Sequence, residues 1–192
     1  MNVPRDHVNI QANDCNKNCL PQAILKHQRI LAQTKNDANW QQIQALLFLG
    51  HWLGDIHQPL HISFADDFGG NNVKFSHLST KCKNLHRYWD ECIFYKGRNS
   101  KNKWLALLTK QWNQDSQPNW QTEQVWQWAD ESYQLVKSDS MNYCQLSEQG
   151  ICQKLSGKIK LPDNYLIQHQ AIMQRQLLAA AQRLSKILDV SL

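Results

Sequence analysis

The sequence predicts an all-α fold, built as a single helical domain. Three observations support this prediction. Apolar side chains recur every three or four residues over most of the chain, the period of a helix with one buried face. Glycine and proline are scarce, at 7 and 5 of 192 residues, which disfavours a turn-rich all-β chain. A hydrophobic content of 42% over this length is enough for one sizeable core.

The first half of the chain predicts two helices followed by a loop. The first helix begins at Pro21, since proline is well suited to a first helical turn. The second covers about 38–58, with Asp37 as its expected N-cap and Pro59 as its end. Residues 62–80 are loop-like around Gly69–Asn72, so we expect at most a short β-hairpin there.

The rest of the chain predicts four more helices. Helices are expected over about 84–95, over 102–112, and from an Asn119 cap to about 137. Residues 138–161 are polar and irregular, and a long final helix follows Pro162. No repeat or linker interrupts this order, so we expect one domain over 1–192.

Composition narrows the range of functions. The longest purely apolar run is Ala45 to Leu49, which is too short to span a bilayer, so we expect no membrane span. Charged residues make up 19% and the net charge is +5, which is compatible with a polyanionic substrate but does not require one. The absence of a basic tail argues against binding a duplex by charge alone.

The six cysteines predict disulfides and an oxidising compartment. Six cysteines allow fifteen pairings, and both Cys15 with Cys19 and Cys144 with Cys152 could close a short loop. An exported protein needs a leader, yet Met1–Asp6 is polar. We therefore expect that a leader was removed or that the chain begins inside a longer protein.

Two histidine–aspartate pairs predict a metal site. His51 with Asp55 and His86 with Asp90 are each four residues apart, so each pair shares one helix face. His61 follows just after the second helix ends. Imidazole and carboxylate are typical zinc ligands. The alternative for His51 is a core histidine bonded to Asp55.

The remaining histidines are not assigned as ligands. His57 points to a different helix face from the His51–Asp55 pair. The others have no carboxylate at ligand spacing, so we interpret them as surface or structural residues: His7, His27, His77 and His169.

These motifs resemble the zinc-dependent P-one/S-one nuclease family. The most specific is the run that ends Gly-Asp-Ile-His-Gln-Pro-Leu-His, and the resemblance covers almost all of the chain. The matching segments are 48–61, 67–71, 84–90, 128–132 and 182–184. The resemblance implies the helical fold of phospholipase C and P-one nuclease, with up to three zinc ions. It also implies a secreted or periplasmic enzyme that cleaves single-stranded DNA and RNA to 5′-phosphates and removes 3′-phosphates from nucleotides.

The resemblance also implies roles for individual residues. His61, His86 and Asp90 would hold one zinc as a complete three-ligand site. His51 and Asp55 would belong to the other two zinc ions, with Asp55 bridging them. Single-stranded nucleic acid or a nucleotide would bind at a site that includes Gly70, Asn71 and Asn72.

The chain departs from the family pattern at its N-terminus. The family has four further ligand positions there, and Met1–Pro4 corresponds to the segment just after them. We therefore expect little or no nuclease activity from 1–192, and exposed apolar faces on the 38–58 helix. Two other interpretations stay open. One is a zinc-dependent hydrolase of the phospholipase C type. The other is an inactive, disulfide-braced, zinc-binding remnant.

Overall fold

The computed structural model describes residues 1–33, 39–76, 82–95, 101–114 and 124–191. These residues are mainly helical, which confirms the predicted all-α class. The expected caps Asp37 and Asn119, and also His77, lie outside the described residues. The helices are α1 (Leu20–Ala32), α2 (Trp40–His57), α3 (Leu85–Arg87), α4 (Ile93–Tyr95), α5 (Lys101–Gln114), α6 (Val125–Lys137) and α7 (Tyr165–Ser191). A π-helical turn (Tyr88–Cys92) joins α3 to α4, so the helix predicted over 84–95 is formed with this irregularity.

At most a short β-hairpin was expected near 62–80, and the two described strands of that region do not pair with each other. Strand β2 (Ser63–Phe64) pairs in parallel with β1 (Asn2–Val3), and β3 (Lys74–Phe75) pairs in parallel with β6 (Lys158–Ile159). Strands β4 (Gln145–Leu146) and β5 (Cys152–Gln153) pair antiparallel. A 3-10 turn and consecutive residues with positive φ separate β2 from β3, and each strand pairs with a distant segment, so the expected upper limit of a short β-hairpin is not exceeded. Lys74 of β3 also forms an isolated antiparallel bridge with Asn84.

Helix α2 begins at a cap that the sequence contains but that we did not predict. The side chain of Asn39 accepts a hydrogen bond from the Gln42 backbone N–H, and the Gln42 side chain accepts one from the Asn39 N–H. This reciprocal pair satisfies two backbone donors that the helix itself leaves free. At the other end, Pro59 follows α2 and opens a 3-10 turn, Pro59–His61, as expected.

Helix α2 is the centre of the packing, because it contacts α1, α6 and α7. Its buried face carries Leu49, Leu53 and Ile56, all at most 1% exposed. Burial of each such side chain stabilises the fold by roughly 1.5–3 kcal/mol. The opposite face leaves apolar side chains in solvent, with Trp40 and Leu47 each 67% exposed, in agreement with the expectation for this helix.

A buried arginine joins α2, α6 and α7. One guanidinium nitrogen of Arg183 donates to His57 Nε2 at 2.7 Å, and another donates to Glu131 at 2.7 Å. The guanidinium lies over the Trp128 ring, 5.0 Å from its centroid. His57 Nδ1 in turn donates to the Leu53 carbonyl at 2.7 Å. His57 is thus a core residue, as expected from its helix face.

The same helices share further polar contacts. Gln176 on α7 donates to the His57 carbonyl at 3.0 Å, and the Ser132 hydroxyl on α6 donates to the Ile56 carbonyl. These contacts satisfy carbonyls at the end of α2, where the helix has no further N–H groups to offer. The C-terminal end of α2 is therefore held by two neighbouring helices.

All six cysteines form disulfides between neighbours in sequence. Cys15 bonds to Cys19 and Cys144 to Cys152, so both short loops predicted from the spacing are closed. Cys82 bonds to Cys92 at the end of the π turn. None of the described helices is long and apolar enough to cross a membrane.

The environment of His57 predicts a pH dependence of stability. Burial, reinforced by the charge of Arg183, lowers the pKa of His57 to about 3. Between pH 6.5 and about 3 the unfolded chain therefore binds a proton that the folded chain does not, and stability falls as the pH falls. We expect the His57→Gln variant to lose this contribution, of up to about 1.4 kcal/mol per pH unit.

Urea unfolding from pH 4 to pH 7, with a chelator present, measures this effect. The plot of unfolding free energy against pH should be shallower for His57→Gln than for the unchanged chain. Equal slopes would contradict the buried neutral histidine.

Candidate metal centre

Three predicted ligands meet in one cluster. The ligand atoms of His61, His86 and Asp90 all lie within 4.8 Å of one another. Asp90 Oδ1 is 3.3 Å from His61 Nε2, and Asp90 Oδ2 is 3.4 Å from His86 Nε2. Two imidazoles and one carboxylate with a side open to solvent match the donor set of a three-ligand zinc site.

The π turn positions Asp90. Asn84 caps the helix start by accepting from the Arg87 N–H at 2.8 Å. Trp89 is 1% exposed and donates from its indole nitrogen to the Tyr165 hydroxyl at 3.0 Å. This anchor turns Trp89 into the core and its neighbour Asp90 outward. Such single π-helical turns occur often at functional sites.

The second predicted pair lies beside this cluster. Asp55 Oδ2 is 3.4 Å from His51 Nε2 and 3.5 Å from His61 Nδ1. The five predicted ligands therefore form a row of contacts in the order His51, Asp55, His61, Asp90 and His86. His51 has a 62% exposed side chain, so it is not the buried core histidine of the alternative interpretation.

The charges of the row favour a cation at its centre. Burial alone would lower the pKa of His61, but the hydrogen bonds and charges of Asp55 and Asp90 outweigh it and raise that pKa to about 9. Burial would raise the pKa of Asp90, yet hydrogen bonds from His61 and Gln58, with the charges of both histidines, hold it below its usual value. Asp90 thus stays ionised beside His61.

A backbone carbonyl orients His86. The Gly69 carbonyl accepts a hydrogen bond from His86 Nδ1 at 2.8 Å. Because Nδ1 carries the hydrogen, the lone pair lies on Nε2, which faces Asp90. Metal-binding histidines commonly have such a partner for their second ring nitrogen.

The turn that carries Gly69 is fixed by a buried carboxylate. Asp67 is 1% exposed and accepts hydrogen bonds from the Gly70 N–H at 2.9 Å, from the Tyr143 hydroxyl at 2.6 Å and from Arg5. Among the predicted nucleotide-site residues, Gly70 is buried, Asn71 is half-buried and Asn72 is exposed. Asn71 also lines a groove that borders Asp55, His61 and His86.

Two openings reach the row of ligands. A cavity of about 350 Å³ runs between the row and the apolar side chains of Phe94, Met173 and Leu177. A wider groove of about 1230 Å³ borders Asp55, His61 and His86 on the other side. We call the second opening the wide groove. Its remaining walls include basic and aromatic side chains, namely Lys17, Lys26, Arg29, Trp52, Phe68 and Trp126.

Sequence reasoning missed the residues that hold the ligands in place. Gln58 and Gly69 lie inside the segments that carry the family resemblance, which was the available signal for them. Asp67 lies in the same turn, but its partners Arg5 and Tyr143 are far away in sequence. No local pattern could have identified that contact.

The helical fold and the open His–His–Asp cluster place this protein among helical proteins with a candidate metal centre. The chain itself belongs to the S1/P1 nuclease family, whose model matches residues 1–192. Several similar proteins are named as endonucleases or nucleases. Endonuclease 4 of Arabidopsis thaliana is 30% identical over 193 residues, covering 92% of this chain and 62% of the relative.

Two further relatives match shorter stretches. Endonuclease 3 of Arabidopsis thaliana is 40% identical over 87 residues, 43% of this chain and 29% of that protein. Nuclease S1 of Aspergillus oryzae is 36% identical over 78 residues, 40% of this chain and 26% of that protein. The chain therefore spans less than two thirds of the length of these relatives.

Gly69 predicts a sharp difference between two glycine substitutions. Gly69 has φ +61°, and a Cβ at this position would lie 2.4 Å from the Leu60 carbonyl oxygen. We expect Gly69→Ala to reduce the free energy of unfolding by about 2 kcal/mol or more.

Gly50→Ala is the matched control. A Cβ at Gly50 meets nothing within 4 Å, and the residue lies inside α2. This substitution should stabilise the chain by about 0.5–1 kcal/mol. Urea unfolding of both variants measures the contrast, and a Gly69→Ala variant as stable as the unchanged chain would contradict it.

Proposed function

We propose that this protein is a zinc-dependent phosphodiester hydrolase that acts on single-stranded DNA and RNA. The observation that carries the proposal is the open His–His–Asp cluster in a chain of the S1/P1 nuclease family. His61, His86 and Asp90 would hold one zinc. His51 and Asp55 would contribute to the further zinc ions that the resemblance implies, with Asp55 as the shared ligand.

The chemistry of the donor set supports zinc. Imidazole nitrogen and carboxylate oxygen bind this ion in many enzymes, and three protein ligands leave one position open. When bound, zinc supplies Lewis acidity, which stabilises charge on a phosphate oxygen. The residues of the chain keep the site in shape, because the Gly69 carbonyl holds the His86 ring and Asp90 stays ionised beside His61.

The wide groove supports a nucleic acid substrate. The exposed side chains of Lys26 and Arg29 lie along this groove, and their positive charges attract phosphates. Trp52 and Trp126 border the same groove, and aromatic rings are stacking surfaces for unpaired bases. A single strand can turn its bases toward such side chains, whereas a stacked duplex cannot. Cleavage would leave 5′-phosphates, and nucleotides with a 3′-phosphate would be a second substrate.

Asn71 would contact the nucleotide, together with Gly70 and Asn72. Its half-buried position at the edge of the wide groove supports this role best among the three. We further propose that the protein acts outside the cytoplasm, as a secreted or periplasmic enzyme. Three disulfides support this location, since such bonds persist in oxidising compartments.

Zinc-dependent cleavage is the first test. We expect 1–192 to bind about one zinc tightly, at the site of the three ligands His61, His86 and Asp90. The further zinc ions would have only two proposed ligands, His51 and Asp55. Cleavage of single-stranded DNA should be slow for the same reason, and it should stop with chelator. His86→Ala should abolish both the tight zinc and the cleavage, whereas His27→Ala, on the edge of the wide groove, should keep tight zinc binding.

The outcomes separate the candidate functions. Tight zinc with no cleavage above the His86→Ala background would indicate that 1–192 is an inactive zinc-binding remnant, whereas slow, chelator-sensitive cleavage would support the nuclease. Release of phosphocholine from a lipid would instead indicate the phospholipase C type of hydrolase. Cleavage that survives both chelator and His86→Ala would contradict the metal site.

The basic side of the wide groove is tested by the salt dependence of binding. Each phosphate contact on a single strand contributes about 0.7 to the slope of log K against log salt. We expect Lys26→Gln with Arg29→Gln to reduce that slope by about 1.4 and to weaken binding of oligo-dT in chelator. Fluorescence anisotropy at several salt concentrations measures both quantities.

The control removes the same charge elsewhere. Lys158 and Lys160 are exposed and do not line the wide groove, so changing both to Gln should leave the slope close to that of the unchanged chain. Equal reductions in the two double variants would show that net charge, and not this groove, determines binding.

A further inference from the structure

The side chain of Gln58 connects the end of α2 to the metal cluster. Its Oε1 accepts a hydrogen bond from the Leu60 backbone N–H at 2.6 Å, and its Nε2 donates to Asp90 Oδ1 at 2.7 Å. The amide oxygen is engaged by a donor, so the NH₂ group is the one that faces Asp90. The orientation of the amide is therefore determined by its two partners.

This contact makes the two oxygens of Asp90 different. Oδ1 accepts the Gln58 hydrogen bond and lies near His61, while Oδ2 lies near His86. We propose that Gln58 is a positioning residue of the metal centre, which holds Asp90 Oδ1 so that Asp90 binds the metal through one oxygen only. The proposal rests on the zinc site proposed above.

The consequence concerns the open coordination position. Zinc with three protein ligands keeps a fourth position for water or substrate. A carboxylate free to rotate can bind through both oxygens and occupy that position. A donor fixed on one oxygen of Asp90 prevents this, so Gln58 would keep the site open.

The backbone around Gln58 is well suited to such a role. Its N–H donates to the Gly54 and Asp55 carbonyls, both at 3.1 Å, and thus closes the last turn of α2. Pro59 restricts the following backbone, and Arg183 holds His57 just before it. The amide therefore extends from a rigid base toward Asp90, which lies 32 residues further along the chain.

The test compares metal binding by Gln58→Met and the unchanged chain. Methionine keeps the length of the side chain but offers neither N–H donor nor amide oxygen. We expect the Kd for zinc, measured by competition with a chelating dye, to rise by about 10- to 100-fold. In the cobalt(II)-substituted protein we expect the visible absorption bands to change, since the second oxygen of Asp90 would replace the water at the open position. Gln168→Met, at an exposed position on α7, is the matched control and should change neither quantity.

Each outcome has one meaning. If the unchanged chain binds no zinc, the proposed metal centre itself is wrong. If the chain binds zinc and Gln58→Met has the same Kd and the same cobalt spectrum, only the role of Gln58 is wrong. A higher Kd with an unchanged cobalt spectrum would also overturn the role, because it would indicate a loss of loop structure without a change in Asp90 binding.

A second measurement does not depend on the folding of a variant. In the unchanged, ¹⁵N-labelled chain, the two side-chain amide protons of Gln58 should have well-separated chemical shifts, since one of them is hydrogen-bonded to Asp90. We expect this separation to persist after zinc is added. A collapse to the shifts of an exposed glutamine on zinc binding would overturn the proposal.

Discussion

The contact between Arg183 and His57 supports the whole arrangement, because it determines where the end of α2 lies. A guanidinium group in the core costs several kcal/mol of desolvation unless its hydrogen bonds are met. Arg183 is 2% exposed, and it meets most of this condition, because its two terminal nitrogens donate to His57 and Glu131 and the group lies over the face of Trp128. Its buried Nε has no hydrogen-bond partner among the described residues. Asp55 lies two residues before His57, and Gln58 and His61 follow it. The candidate metal centre is therefore attached to a part of the core that α6 and α7 both contact.

The ligands that could be predicted from the sequence are those that lie close to each other along the chain. His51 and Asp55, like His86 and Asp90, are four residues apart, and helical geometry alone brings each pair together. The buried supports were not predictable from the residues, because Arg183 and Tyr143 reach their partners across 126 and 76 residues. The same limit applies to the short strands, since β2 and β3 are extended segments whose strand partners are far away in sequence. Helix positions, by contrast, followed from periodicity and from Pro59.

The π turn shows how a small irregularity serves two neighbouring residues. Trp89 must enter the core to reach Tyr165, and Asp90 must face His61 and His86. A single widened turn changes the direction of these side chains without ending the helix. The disulfide from Cys92 to Cys82 then ties the end of the turn to the segment before α3. A core residue and a candidate metal ligand are thus placed within five residues of one helix.

The pairing of the cysteines has a consequence for how the chain matures. Each disulfide joins one cysteine to the next in sequence, with separations of 4, 10 and 8 residues. Of the fifteen pairings open to six cysteines, the native one is therefore the set reached by the shortest diffusional searches, since loop-closure entropy grows with loop length. Oxidation can proceed in the order in which the cysteines are synthesised. In that order each cysteine meets its native partner first, so the native set requires no disulfide shuffling.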